Sequence, residues 1–266
     1  MKKSFNYIDI NRHSWNNRTE THLQSEFYDV KGFLKGKSSL HEIELGLLGD
    51  LHGKSLLHLQ CHFGLDTISL GRLGAQVTGV DLSDKSIEAA RSLAQRTGIE
   101  AEFICCNIYD LPDMLSRTFD IIYTSYGVIG WLPDLDRWAQ IIAHFMKPGG
   151  HLVFVEFHPL LSMFDDDFTH IANSYFNTGP MVETETGTYT NRDAGISQEF
   201  VWWNHSLGEV FTSLLNNGLT ILSFKEYDYS PYNCFNGMIE AAPGKFRIRH
   251  LGSKLPMVYA LQAVRG

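Results

Sequence analysis

The segment SLLHLQCHFG, residues 55–64, decides the fold of this chain. Its first five residues form a short apolar run of the kind that makes a buried strand, and apolar residues recur at helical spacing after Gly64. A second apolar run, 77–80, ends at Asp81, which lies 17 residues beyond Gly64. The pattern predicts a strand, a tight turn, a helix and a second strand parallel to the first.

The same alternation continues along most of the chain. Further apolar runs predict five more strands, at 101–105, 119–124, 152–157, 219–224 and 257–264. Amphipathic stretches predict helices between them: one between its N-cap Ser83 and Gly98, one over 135–145 that starts after Asp134, and one over 207–215. Strands separated by helices of about 10 to 15 residues are typical of a parallel sheet with helices on both faces. We therefore expect an α/β fold, with a doubly wound, mostly parallel sheet of seven strands.

Two segments stand outside this alternation. Before the first strand, Ser39 and Glu42 match a capping box, and apolar residues continue at helical spacing to Gly49. After Pro159 the sequence becomes acidic, aromatic and rich in turn residues, which predicts an inserted lid with a hairpin. The predicted organisation is an N-terminal helical cap (1–49), a ligand-binding core (50–158), the lid (159–206) and the C-terminal part of the core sheet (207–266).

Composition and charge exclude several classes of protein. The chain has 266 residues, 44% of them hydrophobic, and a net charge of -8, which excludes a disordered or fibrous protein. Residues 160–210 hold eight acidic residues and one basic residue. Such a segment repels a phosphate backbone, so we expect no nucleic-acid partner. It is either a solvated acidic face or an entrance that attracts a cationic or amine-bearing substrate.

The cysteines and the apolar runs indicate the cellular compartment in which the protein works. The four cysteines, at 61, 105, 106 and 234, have no CxxC spacing, so we expect neither disulfides nor a zinc site, and no other metal. The two lysines near the N-terminus precede no apolar stretch, and no run of about 18 apolar residues occurs. We therefore expect a cytoplasmic protein that makes no membrane contact.

The turn after the first strand is the expected ligand site. In open parallel sheets, ligands bind beyond the carboxyl ends of the strands, where a carboxylate such as Asp81 can accept both hydroxyls of a ribose. A dinucleotide normally requires G-x-G-x-x-G, but here Gln60 and His62 occupy positions where small residues are needed. The sequence therefore favours a nucleoside without a pyrophosphate.

Five motifs in this order resemble those of the class I S-adenosylmethionine-dependent methyltransferases. They are the turn at 58–64, which keeps only the last glycine of D-x-G-x-G-x-G, Asp81 within 79–83, Asn107 within 106–112, the run 119–126, and the turn at 147–152. The resemblance is strong over residues 50–160 and looser over the last 60. It implies a Rossmann-like core that binds S-adenosylmethionine and releases S-adenosylhomocysteine. The residues it implies for this cofactor are Gln60, Cys61, His62, Gly64, Asp81, Leu82, Asn107, Ile108 and Ser125.

The resemblance also implies a reaction. We expect transfer of the sulfonium methyl group, by in-line displacement, to a nitrogen or oxygen of a small molecule. The candidate bases are Glu156 and His158, and Tyr126, Trp202 and His205 are candidates for contacts with the acceptor. Two alternatives are a module that binds S-adenosylmethionine or S-adenosylhomocysteine without catalysis, and an atypical NAD-type oxidoreductase. The sequence predicts no oligomeric state.

Residues around the turn have two interpretations each. His62 either packs beside the methionine part of the cofactor or donates to its carboxylate. Trp15, Arg18, His22 and Tyr28 either pack their helix or fold over the cofactor. If Gln60 and His62 have positive φ, each costs about 1 kcal/mol or more compared with glycine.

Overall fold

The computed structural model describes residues 6–265 of the chain. The helices are α1 (Tyr7–Gln24), α2 (Val30–Leu34), α3 (Glu42–Leu48), α4 (Leu65–Arg72), α5 (Asp84–Thr97), α6 (Leu135–Phe145) and α7 (Leu207–Asn216). The strands are β1 (Ser55–Leu59), β2 (Gln76–Asp81), β3 (Ala101–Cys105), β4 (Phe119–Ser125), β5 (Met146–Phe157), β6 (Met181–Thr186), β7 (Ser197–Trp202), β8 (Leu219–Tyr227), β9 (Met238–Ala242), β10 (Lys245–Ile248) and β11 (Val258–Arg265). Residues 1–5 of the predicted N-terminal cap lie outside the described residues. No helix among those described is both long and apolar enough to span a bilayer.

The central sheet confirms the predicted fold class. Its seven strands follow the order β3-β2-β1-β4-β5-β11-β8. The pairs β1–β2, β2–β3 and β4–β5 are parallel, and β11 is antiparallel to both β5 and β8. Leu56, Leu57 and Leu59 of β1 are fully buried, because strands of such a sheet are covered on both faces. The second strand ends at Asp81, as predicted, so this residue stands at the carboxyl edge of the sheet.

The helix boundaries follow from capping residues that the sequence displays. The Ser83 side chain accepts a hydrogen bond from the N–H of Ser86 at the start of α5, and Gly98 ends that helix in a left-handed conformation. Asp134 caps α6 in the same way, by accepting from the N–H of Arg137. These starts and stops confirm the predictions for the two helices.

The predicted capping box of α3 was wrong by two residues. The helix begins at Glu42, and its first turn is closed by Glu44, whose carboxylate accepts the backbone N–H of His41 at 2.6 Å. The Ser39 hydroxyl instead contacts Asp66 at 2.6 Å and Ser69 at 3.0 Å. Two possible capping boxes overlap here, one from Ser39 to Glu42 and one from His41 to Glu44. The helix uses the second, because Ser39 binds Asp66 and Ser69 instead.

The sequence reading also missed a hairpin. Strands β9 and β10 pair antiparallel between β8 and β11. They are short and partly exposed, so their apolar residues form no clear alternation. The Pro243-Gly244 turn between them was the available signal. The hairpin expected in the acidic segment is formed by β6 and β7.

The chain divides into two compact units. The first comprises the described part of Met1–Leu40 with Leu51–Arg117 and Pro180–Trp202, and the second comprises His41–Asp50, Thr118–Gly179 and the described part of Trp203–Gly266. The core of the first unit includes Phe63, Ile68, Ile87 and Phe103. That of the second includes Val155, Ile248, Met257 and Val258. The four-segment organisation predicted from the sequence stays a prediction.

In the first unit, one side chain joins α1 to β7. The amide of the buried Asn11 donates to the carbonyl oxygen of Val201 at 2.9 Å and accepts the Val201 N–H at 2.8 Å. The side chain therefore satisfies both backbone groups of a buried strand residue, as a neighbouring strand would.

Replacing Asn11 with alanine is expected to lower the free energy of unfolding by about 2 kcal/mol or more, because two buried backbone groups lose their partners. Urea denaturation measures the change. The exposed His13 of the same helix provides the control, since His13→Ala is expected to change stability by less than about 0.5 kcal/mol. Equal stabilities of the two variants would contradict the assigned role of Asn11.

Candidate functional site

In the turn after β1, every second residue has a left-handed backbone conformation. Gln60 has φ of 57°, His62 of 52° and Gly64 of 76°. These are the three positions at which the family motif has glycine. The condition posed for Gln60 and His62, a positive φ, is therefore met, and each carries the conformational cost that glycine avoids.

Packing explains why only the last glycine of the turn is kept. A Cβ at position 64 would lie 2.7 Å from the ring of Phe103 and 3.0 Å from Cβ of Ala90, in the core of the first unit. Gly64 must therefore supply both a left-handed backbone and the absence of a side chain. Gln60 and His62 need only the backbone conformation, which other residues adopt at some cost.

Asp81 connects the turn to the end of β2. Its carboxylate accepts the N–H of His62 at 2.8 Å and the N–H of Ser83 at 2.9 Å. Burial raises the pKa of this carboxyl to about 6, although these hydrogen bonds oppose the increase. A carboxylate offers about four lone pairs, so Asp81 can accept further donors, such as ribose hydroxyls, while it holds the turn.

Three further residues predicted for the cofactor, Leu82, Asn107 and Ile108, follow β2 and β3 in the first unit. The N–H of Cys106 donates to the Asp81 carbonyl oxygen at 3.0 Å, which brings the end of β3 beside it. The Asn107 side chain caps the short 3-10 helix Ile108–Asp113 by accepting the N–H of Tyr109 at 3.2 Å. Leu82 is half-buried, and Cys61 and Ile108 are buried. The sequence did not reveal that the Asn107 oxygen already has a local partner, and the role of these residues toward the cofactor stays a prediction.

Aromatic rings and histidines pack on the turn. The His62 ring lies 5.2 Å from the rings of Trp15 and His22, and 5.4 Å from Tyr28. His22 is fully buried, and its Nε2 lies 2.7 Å from Oγ1 of Thr188. Burial, followed by the charge of Arg18, lowers the pKa of His22 to about 3, and burial lowers that of His62 well below its usual value. Both rings are therefore neutral at physiological pH.

In the second unit, Glu156 holds the loop after β4. This buried carboxylate accepts the N–H groups of Gly127, Val128 at 2.7 Å, Ile129 at 3.1 Å and Phe157 at 2.6 Å. Ser125 ends β4, and Tyr126 follows it with a left-handed φ of 44°. Both oxygens of Glu156 are therefore occupied by backbone N–H groups, so the geometry gives it a structural task instead of that of a base.

The second candidate base, His158, also has both of its functional atoms occupied. Its Nδ1 accepts the N–H of Leu160 at 3.2 Å, so the proton of the neutral ring is on Nε2, which lies 2.9 Å from Oε1 of Glu226. Burial lowers the pKa of His158, and Glu226 opposes this. The lone pair that a base needs is committed to the backbone. The geometry therefore gives no support to His158 as the base that takes a proton from the acceptor, and this role stays a prediction.

The two other residues predicted for the acceptor also have structural partners. The indole N–H of Trp202, on β7, donates to Glu183 of β6 at 2.9 Å. His205 is buried, with Nε2 at 2.7 Å from the Leu132 carbonyl oxygen and Nδ1 at 2.9 Å from Glu209. Trp202 belongs to the first unit and His205 to the second.

Sequence reasoning missed a group around Tyr126. The Tyr126 hydroxyl donates to Oε2 of Glu44 at 2.8 Å, and the rings of His41 and Tyr232 lie 6.4 Å and 5.1 Å from the Tyr126 ring. A signal was present, because Glu44 lies between the apolar residues Ile43 and Leu47. An acidic residue beside an apolar stripe is a candidate for a buried carboxylate.

Comparison with known proteins agrees with this architecture. A family model described as a methyltransferase domain matches residues 57–154. The ubiquinone biosynthesis O-methyltransferase of Idiomarina loihiensis is 32% identical over 136 residues, which cover 50% of this chain and 56% of that protein. The enzyme of the same description from Pectobacterium atrosepticum is 28% identical over the same shares. The chain thus spans about half the length of the curated relatives it matches.

Solved structures resemble a larger part of the chain. An S-adenosylmethionine-dependent methyltransferase of Mesorhizobium loti matches with a TM-score of 0.57 and 20% identity, covering 87% of this chain and 100% of that one. One from Clostridium acetobutylicum matches with a TM-score of 0.58 and 15% identity, covering 96% and 98%. At these identities the likeness shows the fold. The strand order and the family model agree on a Rossmann-like methyltransferase domain, matched at residues 57–154.

The two requirements on Gly64 can be separated by substitution. Gly64→Ala is expected to destabilise the protein by about 2 to 4 kcal/mol, since strain at positive φ adds to overpacking against Phe103. Gly98→Ala is the matched control, because Gly98 has a similar φ of 70° and no atom within 4 Å of an added Cβ. It is expected to cost about 1 kcal/mol. Denaturation by urea compares the two, and a Gly98 variant as unstable as the Gly64 variant would refute the packing argument.

Proposed function

We propose that this protein binds S-adenosylmethionine at the turn between β1 and α4 and transfers its methyl group to a nitrogen or oxygen of a small molecule. The observation that carries this proposal is the Asp81 carboxylate, held beside the left-handed turn by the N–H of His62 at 2.8 Å. A half-buried carboxylate with remaining lone pairs, at the carboxyl edge of the sheet, suits a ribose. S-adenosylmethionine supplies a methyl group activated by its sulfonium sulfur.

Each residue of the first unit has a proposed task toward the cofactor. Asp81 accepts the ribose hydroxyls, and Asn107 accepts the adenine amine with an oxygen that also caps the 3-10 helix. Leu82 and Ile108 provide apolar contacts on either side of the base. Gln60, Cys61, His62 and Gly64 bring the backbone of the turn close to the amino-acid part of the cofactor. Ser125, the remaining residue that the family resemblance implies, lies at the end of β4. Of the two interpretations of His62, packing is the better supported, because its ring is enclosed by aromatic side chains.

The protein's part in catalysis is proposed to be positioning and exclusion of water. Glu156 fixes the backbone of 127–129 and so places the residues after β4, including Tyr126. Tyr126 is the residue that we retain for contact with the acceptor, because Trp202 and His205 have structural partners. The names of the curated relatives support an oxygen acceptor. The acidic segment leaves an amine or cationic acceptor as the second candidate.

The wider predictions from the sequence belong to the same proposal. We propose that residues 159–206 act as a lid and that the protein works in the cytoplasm. The free thiols of Cys61, Cys105 and Cys106 support that compartment.

Calorimetric titration with S-adenosylmethionine, S-adenosylhomocysteine and NADH tests the cofactor. Micromolar binding of the two sulfur nucleosides is expected, and Asp81→Ala is expected to weaken it about 10- to 100-fold, the value of hydrogen bonds to a charged group. His13→Ala is the control and is expected to bind as the wild type does. Binding of NADH without either sulfur nucleoside would refute the proposal in favour of the oxidoreductase alternative.

The pH dependence of binding tests the role of Asp81. Its pKa of about 6 means that the carboxylate is ionised at pH 7.5 and mostly protonated at pH 5. Affinity for S-adenosylhomocysteine is therefore expected to fall about 10-fold between these values, because a protonated carboxyl accepts fewer hydrogen bonds. His22, with a pKa of about 3, and His62 stay neutral over this interval.

Asp81→Asn is the control for this titration. The variant has no proton to gain at position 81, so its weaker affinity is expected to be the same at pH 5 and pH 7.5. A fall in affinity of similar size in the variant would assign the titration to another group.

A further inference from the structure

The second unit contains a buried carboxylate that the cofactor site does not use. Glu44, on α3, has no exposed surface. Its Oε1 accepts the N–H of His41 at 2.6 Å, and its Oε2 accepts the hydroxyl of Tyr126 at 2.8 Å. A carboxylate without these donors would be costly to bury. The two residues, here called the Glu44–Tyr126 pair, thus join the helix before β1 to the residue after β4.

The direction of the hydrogen bond in this pair makes the Tyr126 oxygen an acceptor toward other groups. Burial, followed by the charge of Glu44, raises the pKa of Tyr126 well above its ordinary value, so the phenol keeps its proton. That proton points at Glu44, and the lone pairs of the phenol oxygen point elsewhere. Donation to a carboxylate makes the oxygen a stronger acceptor, because hydrogen bonds in a chain polarise one another.

The backbone holds Tyr126 at the carboxyl edge of the sheet in a conformation that a bulky residue seldom adopts. Its φ is 44°, its N–H donates to the Val155 carbonyl oxygen at 2.7 Å, and Glu156 binds the N–H groups of the next three residues. Strained residues that are held by their surroundings in this way cluster at functional sites. The position is also the one where ligands of open parallel sheets bind.

Aromatic rings border the same residue. The rings of Tyr232 and Phe157 lie 5.1 Å and 5.8 Å from that of Tyr126, and the His41 ring lies 4.6 Å from that of Tyr232. Tyr126, Tyr232 and His41 are each partly exposed. Such rings provide edges and faces for a planar aromatic molecule.

We propose that the Glu44–Tyr126 pair is a two-step proton relay, and that the methyl acceptor is accordingly a hydroxyl group on an aromatic ring. The inference rests on the proposed methyl transfer. As the new O–CH₃ bond forms, the acceptor O–H bond breaks and its proton passes to the Tyr126 oxygen. The Tyr126 proton passes to Glu44 at the same time, so tyrosine ends neutral and Glu44 ends as a carboxylic acid. The electron pair of the broken S–CH₃ bond stays on sulfur, and the proton later leaves the buried Glu44 by the reverse path, through the partly exposed Tyr126 to solvent.

A hydroxyl acceptor explains why such a relay exists. An amine reacts through a lone pair that it already has when neutral, whereas a hydroxyl is a weak nucleophile until its proton leaves. Neither Glu156 nor His158 supplies a lone pair for that proton, because backbone N–H groups occupy them. Within the described residues of the second unit, the Glu44–Tyr126 pair joins a part-exposed donor to a buried acceptor at the end of β4.

The experiment compares two phenols that differ in acidity. Formation of S-adenosylhomocysteine is measured at pH 8 with phenol and with 4-nitrophenol, which is already ionised there. For the weakly acidic phenol, Tyr126→Phe is expected to lower kcat about 100-fold, the usual value of acid–base assistance, with KM changed less than about threefold. For the nitrophenol, kcat is expected to change less than about fivefold, because no proton has to be moved. A purely structural role of Tyr126 would lower both rates equally.

Glu44 acts through Tyr126, so its variant tests the second step of the relay. Glu44→Gln is expected to reproduce the selective loss with phenol, and the double variant with Tyr126→Phe is expected to lose no more than either alone, since both belong to one relay. Additive losses would overturn the relay. Tyr229→Phe, also in the second unit, is the control and is expected to keep wild-type rates with both phenols.

Binding separates failure of the relay from failure of the proposed function. All variants are titrated with S-adenosylhomocysteine, and unchanged affinity is expected in each. No binding by the wild type would refute the methyltransferase itself. Binding without turnover of either phenol, or turnover of aniline and benzylamine alone, would overturn the hydroxyl acceptor and leave the cofactor site intact.

Discussion

The hydrogen bond from the His62 N–H to the Asp81 carboxylate is the interaction on which the proposed cofactor site in the first unit depends. The turn after β1 runs through three left-handed residues, two of which are not glycine, and such a segment has an intrinsic tendency to relax. The carboxylate opposes this relaxation by binding a backbone N–H in the middle of the turn. The strand that ends at Asp81 is hydrogen-bonded on both sides in the sheet, so its carboxylate holds the turn in a fixed position. A carboxylate in this position therefore has a structural role before any ribose binds, which explains how the turn keeps its shape without the family's first two glycines.

In the second unit, the carboxylate of Glu156 holds a loop backbone in the same way. Glu156 is near the end of β5, and its oxygens bind the backbone N–H groups that follow the left-handed Tyr126 after β4. In both units an acidic residue at a strand end thus holds the loop that follows a neighbouring strand. Free N–H groups at such loops would otherwise have to be satisfied by water, and burial raises the pKa of both acids because it disfavours the charge. The local hydrogen bonds offset this cost, so each carboxylate can remain buried while it orders the backbone.

Local patterns account for what the sequence predicted correctly. The first strand, the caps at Ser83, Gly98 and Asp134, and the position of Asp81 depend on apolar runs and on side chains within a few residues, and these are readable without the fold. Positive φ at Gln60 and His62 followed from the family motif, because glycine there indicates a left-handed backbone. The start of α3 was wrong because two capping frames overlap within six residues, and only the distant Asp66 and Ser69 decide between them. The hairpin of β9 and β10 was missed because its strands are too short and too exposed to alternate clearly.

The site was harder to predict because the role of a polar residue depends on which atoms its partners occupy. Glu156 and His158 have suitable chemistry at a suitable edge of the sheet, yet backbone N–H groups 1 to 29 residues away occupy the lone pairs that a base requires. Tyr126 has the opposite property, since its proton is directed to Glu44, a residue 82 positions earlier. A sequence shows the type of each group but not the direction of its hydrogen bonds. Those directions separate Glu156, which accepts only backbone N–H groups, from Glu44, which accepts a backbone N–H and also the hydroxyl of Tyr126.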